Sequence, residues 1–176
     1  MPTPERTSLA EIIEAGREIL EDAGPDGLTM QAVAIRVGVR APSLYKRVRG
    51  RDALLSAVAE ATIAELAERL DAAGHNLPAL AGEFRAYAHE RPEGFRLMFT
   101  ASAPIDALDR AAEPVLATAR ELVGDEHALD AARLFTAWAT GFLQMELAGA
   151  FRLGGDVDAA FAYGLDHLRR GLQTAA

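Results

Sequence analysis

The chain has 176 residues, half of them hydrophobic, so a sizeable core can be buried and a disordered tail is excluded. It contains no cysteine, which removes disulfide frameworks, zinc-thiolate sites and cysteine nucleophiles together and fits a reducing compartment. The formal net charge of −8 argues at first against a nucleic-acid partner, because holding phosphates requires cations.

Apolar positions recur at helical spacing almost throughout, and no run alternates in the manner of a strand, so the spacing predicts an all-α fold of about nine helices. The opening MPTPERTSLAE carries charge and proline where a secretory signal needs an apolar run, and no stretch approaches the roughly eighteen apolar residues of a membrane span. A cytoplasmic location and no membrane partner are therefore expected. Ser8 with Glu11 forms a capping box at the start of a first helix, which Gly24 and Pro25 should end. A second helix of barely two turns starts at Thr29 and stops at Gly38. Pro42 then opens a third short helix that presents Leu44 and Val48 inward and ends near Gly50.

Asp52 is expected to cap a long fourth helix broken at Gly74 and Asn76. Beyond it the pattern predicts helices over about 78–90, a short one opened by Pro92, one over 106–123, and two more over about 126–151 and 156–171. Pro114 should either kink the 106–123 helix or mark its true start. The division expected is into two domains, residues 1–51 and residues 52–176.

The distribution of charge matters more than its total. Residues 28–51 hold Arg36, Arg40, Lys46, Arg47, Arg49 and Arg51 and no acid, so this segment stands at +6; the remainder, twelve cations against all 26 acids, stands at −14. A basic block on an acidic body points to nucleic-acid contact, whereas an ordinary solvated face would interleave both signs. The helices over 29–37 and 42–48, joined by Gly38-Val39-Arg40-Ala41, have the lengths of a helix-turn-helix. In such a unit the second helix meets base edges with its N-terminal residues, so it must be apolar on one side and small, polar or cationic on the other.

GLTMQAVAIRVGVRAPSLYKRVRGRDALLSAV resembles the DNA-binding signature of TetR family regulators, with Gly38, Val39, Leu44, Tyr45, Val48, Arg51 and Leu54 at the family's spacing. The resemblance implies a three-helix DNA-binding domain joined by helix four to a ligand-binding and dimerising body. It also implies backbone or base contacts for Thr29, Gln31, Pro42, Ser43, Tyr45, Lys46 and Arg51, and places Arg40, Ala41 and Arg47 in the variable slots that set which bases are read. Tyr45 is expected to bury its ring against the first helix and send its hydroxyl to phosphate. RLFTAWATGFLQMELAGAFRLGGDVDAAF and RPEGFRLMF resemble a TetR C-terminal subgroup marked by a His-Gly-Phe, with Thr140 in place of the histidine.

Phe84, Tyr87, Phe95, Met98, Phe99, Trp138, Phe142 and Met145 sit on helices expected to face one another, and with Glu146 they are candidates for an apolar ligand pocket. Core filling is the plainer role for any one of them. Glu146 falls between Met145 and Leu147 and, if buried, needs a partner: either a pairing inside the protein or its dimer interface, or a cationic or hydroxyl-bearing ligand. His75, His89, His127 and His167 are scattered outside any metal-ligand spacing, so no metal and no cofactor are expected. No Gly-x-Ser-x-Gly elbow or phosphate-cradling glycine loop is present, and catalysis is not expected.

The function implied is a repressor that binds palindromic double-stranded operator DNA as a homodimer and is released by a small apolar or amphipathic effector. The alternative is a helical ligand-binding or interaction protein that has lost DNA binding. The dimer is expected through the last two helices, with Leu134, Phe135, Leu143, Leu147, Phe161, Leu165 and Leu168 as candidates for its seam.

Overall fold

The computed structural model describes residues 7–173. Among them the chain forms nine helices and no strand: α1 (Leu9–Gly27), α2 (Met30–Arg36), α3 (Ala41–Leu44), α4 (Arg51–Ala73), α5 (Leu77–Glu90), α6 (Pro92–Leu97), α7 (Ile105–Val123), α8 (Ala128–Leu147) and α9 (Val157–Gln173). They gather into two compact units. One holds the chain as far as Glu65 together with Arg91–Asp109; the other holds Leu66–Glu90 and the chain from Arg110 onward.

Local chemistry accounts for most helix ends. The capping box at α1 is present, with the Glu11 amide donating to Ser8 Oγ at 3.1 Å and the Ser8 amide donating to the Glu11 carboxylate at 2.7 Å. Those bonds to Ser8 hold the Glu11 carboxyl below its usual range. Gly24 breaks the α1 backbone at φ 67°, as expected, but Pro25 then restarts one further helical turn to Gly27. The reason is that a proline needs no N–H at a first helical position.

At the end of α2 the Gly38 amide donates to the Ile35 carbonyl and the Val39 amide to the Ala34 carbonyl, at 3.2 and 2.9 Å. This Schellman closure requires the left-handed Gly38, φ 71°. Helix α3 is shorter than its spacing suggests. It covers only Ala41–Leu44, after which the Arg47 and Val48 amides both donate to the Leu44 carbonyl in a turn. Asp52 lies in the first turn of α4 rather than at its cap. Helix α7 runs unbroken through Pro114, and α8 ends at Leu147 where Gly149 repeats the Schellman closure.

The first unit packs around Ile12, Ile19, Leu20, Leu28, Val33, Leu44, Val48, Leu54 and Val58, all nearly fully buried. Burying a side chain of this size contributes roughly 1.5–3 kcal/mol. Helices α1 and α4 meet closely because Gly16 has no side chain: a Cβ there would lie 2.8 Å from Val58 Cγ2. Helix α6 belongs to the same unit, and its Glu93 and Gly94 amides donate to the Glu21 carboxylate at 3.1 and 2.9 Å.

In the second unit, Trp138 stacks on Phe161 with ring centroids 5.1 Å apart, and Phe142 meets both Phe161 and Phe151 edge-on or tilted. Four residues expected at a dimer seam, Phe135, Leu143, Phe161 and Leu165, are instead buried within the chain. The large apolar side chains of α8 and α9 that are exposed are Leu129, Leu134, Met145 and Tyr163. Of the other three seam candidates, Leu134 is exposed and Leu147 and Leu168 are half-buried. Among the described residues no helix is long and apolar enough to cross a membrane.

Candidate nucleic-acid interface

All ten residues assigned to DNA contact fall within one stretch of the first unit, from the cap of α2 to the start of α4. Thr29 caps α2, its Oγ1 accepting from the Ala32 amide at 3.1 Å, which leaves the hydroxyl hydrogen available as a donor. Gln31 is exposed on the next turn. Arg40 occupies the cap position of α3 and is exposed, Ala41 is half-buried, and Pro42 and Ser43 are exposed on the first turn of that helix.

Leu44 and Val48 explain how this face is held outward. Both are buried, at 1% and 4% exposure, and they clamp the segment between them so that Pro42, Ser43, Tyr45, Lys46 and Arg47 point to solvent. Tyr45 departs from expectation. The residue is 55% exposed rather than buried, while Leu44, one residue earlier, takes the inward slot at 1% exposure. The aromatic face is thereby free to lie against a ligand.

The six cations of the block divide by what they touch. Arg36 is turned back onto α1, its Nη1 2.6 Å from Glu18 Oε2 and its Nη2 3.3 Å from Asp22 Oδ2, and these carboxylates hold its guanidinium still more firmly protonated. Arg51 donates to two backbone carbonyls, Leu28 at 3.0 Å from Nε and Pro25 at 2.5 Å from Nη2. Arg40, Lys46 and Arg49 form no ion pair among the described residues, and Arg47 is exposed beside them. The outward positive charge is thus concentrated on Arg40 to Arg49.

The residues proposed for a ligand pocket are distributed over both units. In the first, Phe95 and Met98 are buried core while Phe99 is 46% exposed and meets Phe95 edge-on at 5.2 Å. In the second, Tyr87 is fully buried beneath the Arg69 guanidinium, Phe84, Trp138 and Phe142 are half-buried, and Met145 is exposed. Thr140 Oγ1 in that unit is buried without a hydrogen-bond partner among the described residues.

Glu146 has partners within its own unit. Arg85 Nε and Nη2 reach its two oxygens at 3.0 and 2.5 Å, and His89 Nε2 lies 3.3 Å from Oε1. Hydrogen bonding to Arg85 is the main force that lowers the Glu146 pKa, against the opposing effect of burial. Arg85 also binds Asp158 at 2.6 Å and lies over the Phe161 ring. Neither Arg85 nor Glu21 was legible as a site residue, since each reads as an ordinary polar position on an amphipathic helix. Among the described residues no group of histidines and acids could hold a metal ion.

Comparison with known proteins agrees with this arrangement. Residues 12–58 match the family model described as bacterial regulatory proteins, tetR family, and residues 77–168 match the tetracyclin repressor-like C-terminal domain. The chain is 34% identical over 111 residues to the tetracycline repressor protein class A from transposon 1721 of Escherichia coli, an alignment covering 61% of this chain and 49% of that protein. It therefore spans about half the length of that relative. It is 30% identical over 183 residues to the uncharacterized HTH-type transcriptional regulator Rv0681 of Mycobacterium tuberculosis, covering 97% of this chain and 84% of that one. A solved structure of a TetR variant from Acinetobacter baumannii AYE in complex with minocycline matches with a TM-score of 0.73 at 26% identity, covering 96% of this chain and 98% of that chain.

Proposed function

This chain belongs to the TetR family of bacterial regulatory proteins, which are transcription regulators and not enzymes, and from that premise we propose that it is a ligand-released repressor acting as a homodimer on a palindromic operator. The observation that carries the reading is the outward face of Arg40 to Arg49. Arg40, Ser43, Tyr45, Lys46, Arg47 and Arg49 are exposed together, with no acid among them, while Leu44 and Val48 anchor the segment from behind. A short helical turn so presented can enter a major groove, with Thr29 and Gln31 on α2 reaching the phosphates beside it.

Dimerisation is supported by an exposed stripe formed by Leu134, Ala137, Gly141 and Met145 on α8 and its C-cap Ala148, at spacings of three and four residues. A Cβ at Gly141 would meet nothing within 4 Å, so a second helix can approach its backbone closely. Two such reading heads imply operator half-sites about one helical turn apart, near 34 Å, or a small multiple of it.

The effector is assigned to the second unit, whose residues match the ligand-binding half of the family and whose Trp138, Phe142 and Phe161 supply aromatic surface. That the similar TetR variant from Acinetobacter baumannii AYE is solved in complex with minocycline supports a compound of the same kind, largely apolar with polar edges. Selection of bound duplexes from a random pool by the purified protein tests the proposal. An enriched palindrome is expected; a protein with no affinity for any duplex at low salt would leave only a dimeric ligand-binding module.

A further inference from the structure

We infer that Arg51 is a positioning residue that locks the helix-turn-helix to α4, and not one of the cations that neutralise DNA phosphate. The inference rests on the DNA-binding reading above and reassigns one residue that family resemblance would place at the backbone. Its ground is the use to which the guanidinium is put. Nε donates to the Leu28 carbonyl at 3.0 Å and Nη2 to the Pro25 carbonyl at 2.5 Å, so the Nε–Nη2 edge, one of the two on which the fork can grip a phosphate in two-point fashion, already grips the chain.

The segment so held needs an outside tie. Gly24 interrupts α1 at φ 67°, leaving Pro25–Gly27 as a single detached turn, and Pro25 has no amide to join the helical ladder. The last turn of α1 also has no basic residue of its own to meet its terminal carbonyls. Arg51, the first residue of α4, supplies that cation from 23 positions downstream. Leu28 is then fixed twice: its side chain is fully buried in the core and its carbonyl is bound by Arg51.

Thr29, the cap of α2, follows directly. Arg51 therefore ties the start of α4 to the residue immediately before the α2 cap, and α3 follows α2 through the Gly38 closure. A lysine replaces this device poorly, because its ammonium sits on a flexible stem and lacks the preorganised planar fork that spans the two carbonyls.

The test uses the full-length protein and a duplex recovered by selection, with affinity measured across a salt series at a temperature where circular dichroism shows each variant folded. Loss of a phosphate contact lowers the slope of log affinity against log salt by about 0.9. We expect Lys46→Ala to show that drop. Arg51→Ala should instead bind about tenfold more weakly with the slope of the parent, and Arg51→Lys, which keeps the charge, should lose as much. A slope lowered by about 0.9 in Arg51→Ala, full affinity in Arg51→Lys, or unchanged affinity in Arg51→Ala would each overturn the inference.

Hydrogen exchange at the amides of Ala32 to Arg36 gives a readout independent of DNA. It should accelerate in both Arg51 variants, and unchanged protection there would overturn the positioning role. If the parent protein binds no duplex, the DNA-binding reading fails and this exchange comparison still decides whether Arg51 holds α2.

Discussion

Arg85 on α5 and Glu146 on α8 meet as a two-point ion pair, Nε to Oε2 at 3.0 Å and Nη2 to Oε1 at 2.5 Å, with only 18% and 12% of the two side chains exposed. Glu146→Gln keeps the shape and removes the charge, so one of the two acceptors facing Arg85 becomes an amide donor and the other hydrogen bond loses its charge assistance, while Arg85 retains the exposed Asp158. A loss of roughly 1–3 kcal/mol is expected. The pairing with Arg85 lowers the Glu146 pKa in the folded chain, so its contribution is complete above the unfolded glutamate value, about 4.3, and disappears as pH falls through the lower folded value. Urea midpoints of the parent and Glu146→Gln should therefore stay a constant distance apart from pH 7 to pH 5.5 and converge in stronger acid. Parallel curves down to pH 3 would mean the pair is not the source.

Gly16 is a second point where one atom decides. Alanine there gains about 1 kcal/mol of helix propensity, yet its Cβ would lie 2.8 Å from Val58 Cγ2, which is fully buried and cannot swing away. Overpacking of this kind costs about 1–3 kcal/mol, so the clash should win and Gly16→Ala should be less stable than the parent. The double variant with Val58→Ala removes the obstructing methyl and should recover part of the Gly16→Ala loss relative to Val58→Ala alone. Additive losses in chemical denaturation would show that α1 and α4 do not meet as described.

What could be read from the chain was local, and what could not was tertiary. The Ser8–Glu11 box and the Gly38 closure bond residues three to five apart, so spacing reveals them. The restart at Pro25 was hidden because a proline after glycine is equally a stop and a first helical position. The basic block was visible as six cations without an acid, but not that Arg36 reaches Glu18 and Asp22 or that Arg51 reaches Leu28 and Pro25. Glu146 was legible as a residue in need of a partner; Arg85, 61 positions earlier, is chosen by the packing of α5 on α8.

Glu21 of α1 illustrates the same limit and allows a test. Helix α6 opens with Pro92 and has no side-chain cap of its own at Arg91, so its Glu93 and Gly94 amides depend on the Glu21 carboxylate. A carboxylate at a helix N-terminus also meets the positive end of the dipole. Glu21→Ala should cost about 1–2 kcal/mol, and Glu21→Gln, which keeps one acceptor, less. Amide exchange at Glu93 and Gly94 should rise in the same order; exchange equal in all three proteins would dismiss the contact.

The final prediction concerns which cations read sequence. Arg40 and Arg47 are exposed on the outward face, the family resemblance puts them in the variable slots, and arginine is the side chain best suited to pair with guanine O6 and N7. Arg36, by contrast, is held by Glu18 and Asp22 on α1. Against a selected operator and its single-base substitutions, Arg40→Ala or Arg47→Ala should lose discrimination at one base pair, by about 1–3 kcal/mol, and be nearly indifferent to changes elsewhere. Arg36→Ala should leave both the discrimination and the salt slope unaltered. If Arg40→Ala and Arg47→Ala weaken every duplex equally and each lowers the salt slope by about 0.9, both are phosphate clamps and base reading must come from Ser43, Tyr45 or Lys46.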